Sequence, residues 1–430
     1  MAVDVVLISM PNKNIDYPSL SLPILTAALR QKGFTTEQLD INMVFRDEVL
    51  TEAGLTGLLE DSIPEYSKAF VHFEHGLLCL SKIYKHLQKL KVIYGFQSLE
   101  KVKKQVQARN YEWVFAKNDR FCQYLELFKI NRALHNLIDI AATRLNPPAN
   151  DYLSKVLNKT VNQVIEYVRR ENPRIVGLSI LEVQRTCSLI LIKRLRSFYS
   201  GIIIVGGADP TRFPQQYIEQ CKDIDVLFYR EAEVSLPLFL ESQDRNMSHH
   251  KSIPGIYTRD DEGNLVINDH KPVIMETDTP TPDFRGLPLN LYLTPALPVQ
   301  ASRGCSWQQC KFCIHWNTYG NFQTHSPKRV IEDINVLVSR HNTKYFHFTD
   351  DCLAVPQMRT LTNLFKKTSL DVRWLAYFRF EKDLDSELLK AIWDAGGRVL
   401  EMGLESASQR VLQLKERQLH PPAGHPESIT

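Results

Sequence analysis

Apolar positions along the chain follow two alternating patterns. Val3 to Met10 is a near-continuous apolar run, as expected of a parallel strand buried on both faces. Leu20 to Lys32 places Leu20, Ile24, Ala27, Ala28 and Leu29 at helical spacing, and Gly33 closes it. Thr36 to Ile41 reads as a second strand. The alternation then lapses. From about Phe45 to about Arg170 the pattern is helical throughout, with Val71 to Phe96, Ser98 to Ala108, Val114 to Leu145 and Leu153 to Arg170 apolar at spacings of three and four. Pro147-Pro148 is the clearest breaker inside it. Residues 46–170 are therefore expected to be a helical insertion.

The first pattern resumes with strands at Ile175 to Ile180, Gly201 to Gly207 and Asp225 to Phe228. Helices are expected at Thr186 to Tyr199 and Ser235 to Glu241, and a loop with a helix at Asp209 to Gln220. Segments 1–45 and 171–285 together predict an α/β domain built on a doubly wound, Rossmann-like parallel sheet. Beyond it, strands at Ala296 to Ala301, Lys344 to Thr349, Val372 to Phe378 and Arg398 to Gly403 alternate with helices at Pro327 to Ser339, Gln357 to Lys367 and Ser386 to Asp394. Four β-α steps over 286–416 predict part of a TIM-like (β/α) barrel. Residues 417–430 carry three prolines and no periodicity, and are expected to be a disordered tail. Four strands leave the last with an unpaired edge, so the expectation is a truncated barrel with little turnover alone, completed by further strands from a second chain.

Composition narrows the class. At 430 residues with 43% hydrophobic content the chain can form two or three buried cores. A net charge of +3 implies no nucleic-acid surface. The first strand has no basic lead and carries Asp4, unlike a signal peptide. No apolar run approaches the ~20 residues that span a bilayer. The scattered Cys79, Cys122, Cys187, Cys221 and Cys352 lack disulfide-like spacing, and a reducing cytoplasm is expected. His72, His75, His86 and His135 and the basic cluster Lys101, Lys103 and Lys104 read as solvated helix faces.

The concentrated chemistry lies at Cys305, Cys310 and Cys313, three of the eight cysteines within one short loop. Arg303-Gly304 breaks the strand before them, so the loop sits at a strand's carboxyl end. Three thiolates in Cys-x4-Cys-x2-Cys can hold three irons of a 4Fe–4S cluster, leaving the fourth iron open. A zinc site completed by His315 or His325 is the competing reading. Strand ends supply further candidates. In the first domain these are Ser179, Gly206, Gly207, Ala208 and Glu231, where ligands of open α/β sheets bind. In the second they are Asp351, Arg379 and Glu405.

The cysteine loop resembles the cluster loop of the radical S-adenosylmethionine (SAM) family, usually Cys-x3-Cys-x2-Cys, with one extra residue and a Cys-x-Trp start. Phe312 matches the aromatic residue that the family places beside the bound adenine. Gly403-Leu-Glu405-Ser406 and Arg379 match positions that approach the SAM ribose and carboxylate. Upstream, Tyr17-Pro-Ser-Leu-Ser-Leu-Pro, Val-Gly-Leu-Ser, Val-Gly-Gly-Ala and Arg230-Glu-Ala-Glu233 in that order resemble the cobalamin-binding domain found before radical SAM domains. No Asp-x-His-x-x-Gly is present, so no histidine of that motif can ligate cobalt, and Arg230-Glu-Ala-Glu233 stands where Gly-Glu-Gly-Glu is usual. The resemblance implies a 4Fe–4S cluster, SAM and cobalamin as cofactors, methylation of an unactivated carbon in a small molecule or peptide, and an electron donor such as flavodoxin or ferredoxin. A radical rearrangement or oxidation without methylation, and an inactive cobalamin-binding relative, are the alternatives.

Overall fold

The computed structural model describes residues 3–11, 17–49, 152–243 and 252–414, short of 261, 293–294, 314, 316–317, 319–320, 369 and 382. The helices expected between 50 and 151, with His72, His75, His86, His135 and the lysine cluster, lie outside the described residues, as does the tail 417–430.

Thirteen strands are described, in two principal sheets and a short ribbon. The first sheet contains β1 (Val5–Ser9), β2 (Thr36–Asp40), β3 (Ile175–Ser179), β4 (Ile202–Gly206), β5 (Val226–Phe228), β6 (Ile256–Arg259) and β7 (Leu265–Ile267). Its order is β2-β1-β3-β4-β5-β6-β7. The first five strands are parallel, and the β6–β7 hairpin adds two antiparallel strands at the edge. β1 is buried at all five positions. Alternation splits its side chains between two cores. Val6 and Ile8 join Val176, Ile203, Leu157 and Leu191 beneath the helices Tyr152–Glu171 and Arg185–Arg196. Val5 and Leu7 join Ile204, Leu29 and Phe239 on the opposite face, beneath Ser21–Gln31 and Ser235–Gln243. This is the doubly wound sheet that the apolar pattern predicts. The segment Asp209 to Gln220, expected as a loop with a helix, holds two helices, Ala208–Arg212 and Pro214–Gln220. Pro214 breaks the run by lacking an N–H and restraining the preceding residue.

The second sheet has the order β13-β12-β11-β8, all parallel: β8 (Leu297–Val299), β11 (Tyr345–Phe348), β12 (Arg373–Phe378) and β13 (Gly397–Met402). Helices Pro327–His341, Val355–Thr368 and Ser386–Asp394 join them in succession. Two of those helices carry sequence-legible caps: Ser326 accepts from the Arg329 N–H with Pro327 next, and Asp385 accepts from the Leu388 N–H. Phe346, Phe348, Trp374, Ala376 and Phe378 pack into the helical layer. Period-two alternation puts His347, Tyr377 and Glu401 on the other face. A ribbon of β9 (Ser302–Arg303) and β10 (Gln323–Thr324) brackets the cysteine loop.

Segment 283–292 fastens the two sheets together. Asp283 accepts from Arg30 at 2.9 Å and also from Arg285. Burial alone would raise the Asp283 pKa, but these two guanidinium groups hold it well below the usual carboxylate range. Tyr292 donates to Asp40 at 2.7 Å, and Gln38 Nε2 donates to the Asp283 carbonyl at 2.7 Å. The carboxyl ends of both parallel sheets consequently open onto the same space.

Candidate functional site

A cavity of about 770 Å³ lies between the two sheets. Its wall includes Ser179, Gly206, Gly207, Ala208 and Glu231 from the first sheet, and Asp351, Arg379, Gly403 and Glu405 from the second. Cys305, Cys310, Phe312, Cys313 and His315 complete it from the cysteine loop. The structure thus gathers thirteen of the fourteen sequence-predicted site residues around one cavity. Ser406 is the other one: its hydroxyl accepts from the Ser408 N–H at 3.1 Å, ahead of the next helix, and it is off the wall.

Local geometry changes the part that several of these residues play. Gly207 has φ of +103°, and a Cβ there would meet the Ile180 backbone N and O at 2.7 Å. The chain itself demands this glycine for the turn after β4. Gly206 is different, since a Cβ would lie at an ordinary 3.5 Å from the Phe228 carbonyl. Ser179 donates to Ser21 at 3.1 Å, at the start of the first helix. Arg230, standing where glycine is usual, keeps a left-handed φ of 63°, and its N–H donates to Thr211 Oγ1 at 3.0 Å.

Glu231 is engaged by protein rather than standing free toward the cavity. It lies 3.3 Å from His270 and 4.0 Å from Arg303. Burial opposes its ionisation, but His270 and Arg303 still hold its pKa below the ordinary value. Arg379 stacks over the Trp307 ring of the cysteine loop, 4.5 Å from the centroid, with Glu381 at 4.0 Å. Asp351 meets His315 Nδ1 at 2.5 Å, and this contact raises the His315 pKa against its desolvation. The other oxygen of Asp351 is buried with no hydrogen-bond partner among the described residues. Phe312 is 45% exposed, an unusual state for a phenylalanine and suited to covering a flat ligand.

Sequence reasoning missed four residues. Arg303 and Glu233 form a buried pair at 2.8 Å. Cys352, scattered in sequence, reaches the cavity wall, where burial pushes its thiol up to about 12 and keeps it protonated. Asp350, beside the predicted Asp351, turns inward to hold the strand that leads to the thiols. The Asp-Asp doublet carried the signal, since adjacent residues after a strand face opposite ways.

The donor set fits an iron–sulfur cluster. Cys305, Cys310 and Cys313 are partly exposed thiols on one loop, as cluster ligands must be before assembly. The histidines needed for a zinc site point elsewhere: His315 to Asp351, and His325 to Glu276 at 3.4 Å. Among the described residues no three Cys, His, Asp or Glu side chains, the loop thiols included, are gathered closely enough to hold a metal ion. Among the described residues, too, no helix is long and apolar enough to cross a membrane.

No family model matches the chain. Sequence relatives do. One is described as an uncharacterized methyltransferase of Pyrococcus horikoshii, 25% identical over 262 residues, covering 59% of this chain and 56% of the relative. Another is the anaerobic magnesium-protoporphyrin IX monomethyl ester cyclase of Rubrivivax gelatinosus, 27% identical over 274 residues, covering 60% of this chain and 48% of the relative. The chain spans about half the length of the curated relatives it matches. Among solved structures, the cobalamin-dependent SAM radical enzyme OxsB, with aqua-cobalamin and SAM bound, superposes over 97% of this chain and 46% of its own, at TM-score 0.61 and 16% identity. The radical SAM methyltransferase TsrM of Kitasatospora setae, with tryptophan and a SAM analogue bound, superposes over 97% and 63%, at TM-score 0.58 and 13% identity. The chain has the fold of these cobalamin-dependent radical SAM enzymes: a Rossmann-like sheet followed by four parallel strands of a (β/α) barrel.

Proposed function

We propose that this chain carries the cofactor-holding part of a cobalamin-dependent radical SAM enzyme that methylates an unactivated carbon. The supporting observation is the single cavity whose wall joins the Rossmann strand ends to the three thiols. When bound, the cofactors supply reductive cleavage of SAM and carriage of a methyl group, chemistry that side chains lack.

The chain's own residues bind, orient and shield. Cys305, Cys310 and Cys313 would hold three irons and leave one open to SAM. The unpartnered oxygen of Asp351 is an acceptor suited to an ammonium group, and His315 fixes the carboxylate that offers it. Arg379, anchored on Trp307, would meet a carboxylate, and Glu405 a ribose hydroxyl. Ser179, Gly206 and Ala208 would form the floor beneath a corrin. Tyr17 and Tyr377 line the same cavity. The electron arrives from a small carrier such as flavodoxin or ferredoxin.

Cyclisation or oxidation without methyl transfer is the second reading, favoured by the resemblance to the Rubrivivax cyclase. Reconstituted protein given SAM, hydroxocobalamin and a one-electron reductant under anaerobic conditions tests the cofactor reading. Formation of methylcobalamin supports methyl transfer. Formation of 5′-deoxyadenosine with no methylcobalamin supports the second reading. Neither product, with no retention of iron, would reject both.

A further inference from the structure

Arg303 joins the two sheets at the cysteine loop itself. Its side chain is only 7% exposed and lies 2.8 Å from Glu233 and 4.0 Å from Glu231. Both carboxylates belong to the loop after β5, which lines the cavity from Arg230 to Glu233. His270, from the segment after β7, contacts Glu231 at 3.3 Å. Arg303 also reaches Gln300 Oε1 at 3.2 Å. One residue later, Gly304 turns the chain at φ of +77° into Cys305.

The physical consequence follows from burial. Removing one partner of a buried charge pair is strongly unfavourable, so the guanidinium and the two carboxylates keep their relative positions. The backbone two residues before the first thiol is therefore fixed to a loop of the other domain. Whatever packs on residues 230–233 restrains the same carboxylates that hold Arg303. Coupling of this kind is reciprocal in binding free energy.

The structure assigns Arg303 the role of a positioning residue that couples the two cofactor sites. Through Glu231 and Glu233 it makes corrinoid binding in the groove and cluster assembly on the thiols each favour the other. This rests on the function proposed above.

The test is a titration with hydroxocobalamin, followed by absorbance, of the anaerobic chain with and without its reconstituted cluster. It compares wild type, Arg303→Lys, Arg303→Met and Glu233→Gln, the last a near-isosteric change that keeps the inference testable if Arg303→Met fails to fold. In the wild type the cluster should tighten cobalamin binding about fivefold or more, the lower end of ordinary allosteric coupling. The ratio should fall to about one in Arg303→Met and Glu233→Gln, and recover partly in Arg303→Lys. A wild-type ratio near one, or an undiminished ratio in both Arg303→Met and Glu233→Gln, overturns the inference while both cofactors still bind. Wild-type protein that takes up neither cofactor overturns the proposed function and this inference with it.

Discussion

Ser302 and Asp350 hold the cysteine loop to the barrel. Asp350 Oδ1 accepts from Ser302 Oγ at 2.6 Å and from the Ala301 N–H at 3.1 Å, and the Ser302 N–H donates to the same oxygen. The carboxylate is fully buried two residues beyond β11, while its donors lie between β8 and the thiols. Asp350→Ala leaves two buried N–H groups unmet, at about 1–3 kcal/mol each. Denaturant melts of Asp350→Ala are expected to show a loss of at least about 2 kcal/mol, with a smaller loss in Asp350→Asn, which keeps an acceptor. Equal stability of Asp350→Ala and wild type would refute the anchoring role.

Much of this was legible in the sequence, and the illegible part has a common cause. β1 reads directly because four consecutive apolar residues, Val5 to Ile8, are buried on both faces. The thiol loop reads directly because cluster ligation needs three cysteines close together. Asp350, Arg303 and Glu233 did not read, because their partners lie far along the chain: Asp350 and Ser302 are 48 residues apart, and Arg303 and Glu233 are 70 apart. Gly207 reads as a strand-end glycine, but the contact that requires it does not, since only the fold brings Ile180 against it.

The protonation of Asp350 makes a second prediction. Burial pushes its pKa up to about 7 from 3.8, against the pull of its donors. Between those values the unfolded chain is ionised while the native carboxyl stays protonated. Its contribution is then full below pH 4 and is lost as pH rises through 7. The stability of wild type relative to Asp350→Asn should fall across that window and level off above it. A difference independent of pH would show an ordinary pKa.

His347 predicts the opposite slope. Burial lowers its pKa to about 3, and both ring nitrogens lack a hydrogen-bond partner among the described residues. Tyr17 packs edge-on against it, with ring centroids 4.3 Å apart. Its native state is neutral, so its contribution is present above pH 6.5 and is lost as pH falls toward 3. His347→Phe removes two unsatisfied polar atoms and should be at least as stable as wild type at pH 7.5, with a shallower loss of stability at pH 5. A variant that melts well below wild type at pH 7.5 would contradict this environment.

The two glycines after β4 should separate folding from binding. Gly207→Ala forces a side chain against the Ile180 backbone at positive φ, and should cost more than about 2 kcal/mol. Gly206→Ala meets only ordinary contacts and should fold normally. A larger residue, Gly206→Leu, should still fold but weaken hydroxocobalamin binding at least tenfold, read by absorbance titration. Undiminished binding by folded Gly206→Leu would remove the strand ends from the corrin site.

The central claim is that the groove and the thiol loop serve one shared cavity. Electron paramagnetic resonance of the anaerobic chain, loaded with cob(II)alamin and reduced cluster separately and together, tests it most directly. The account predicts about four irons and four sulfides per chain, absent when Cys305, Cys310 and Cys313 are replaced by Ala, and mutual broadening of the two signals in doubly loaded protein alone. Zinc without sulfide, or a doubly loaded spectrum equal to the sum of the two single ones, would contradict it.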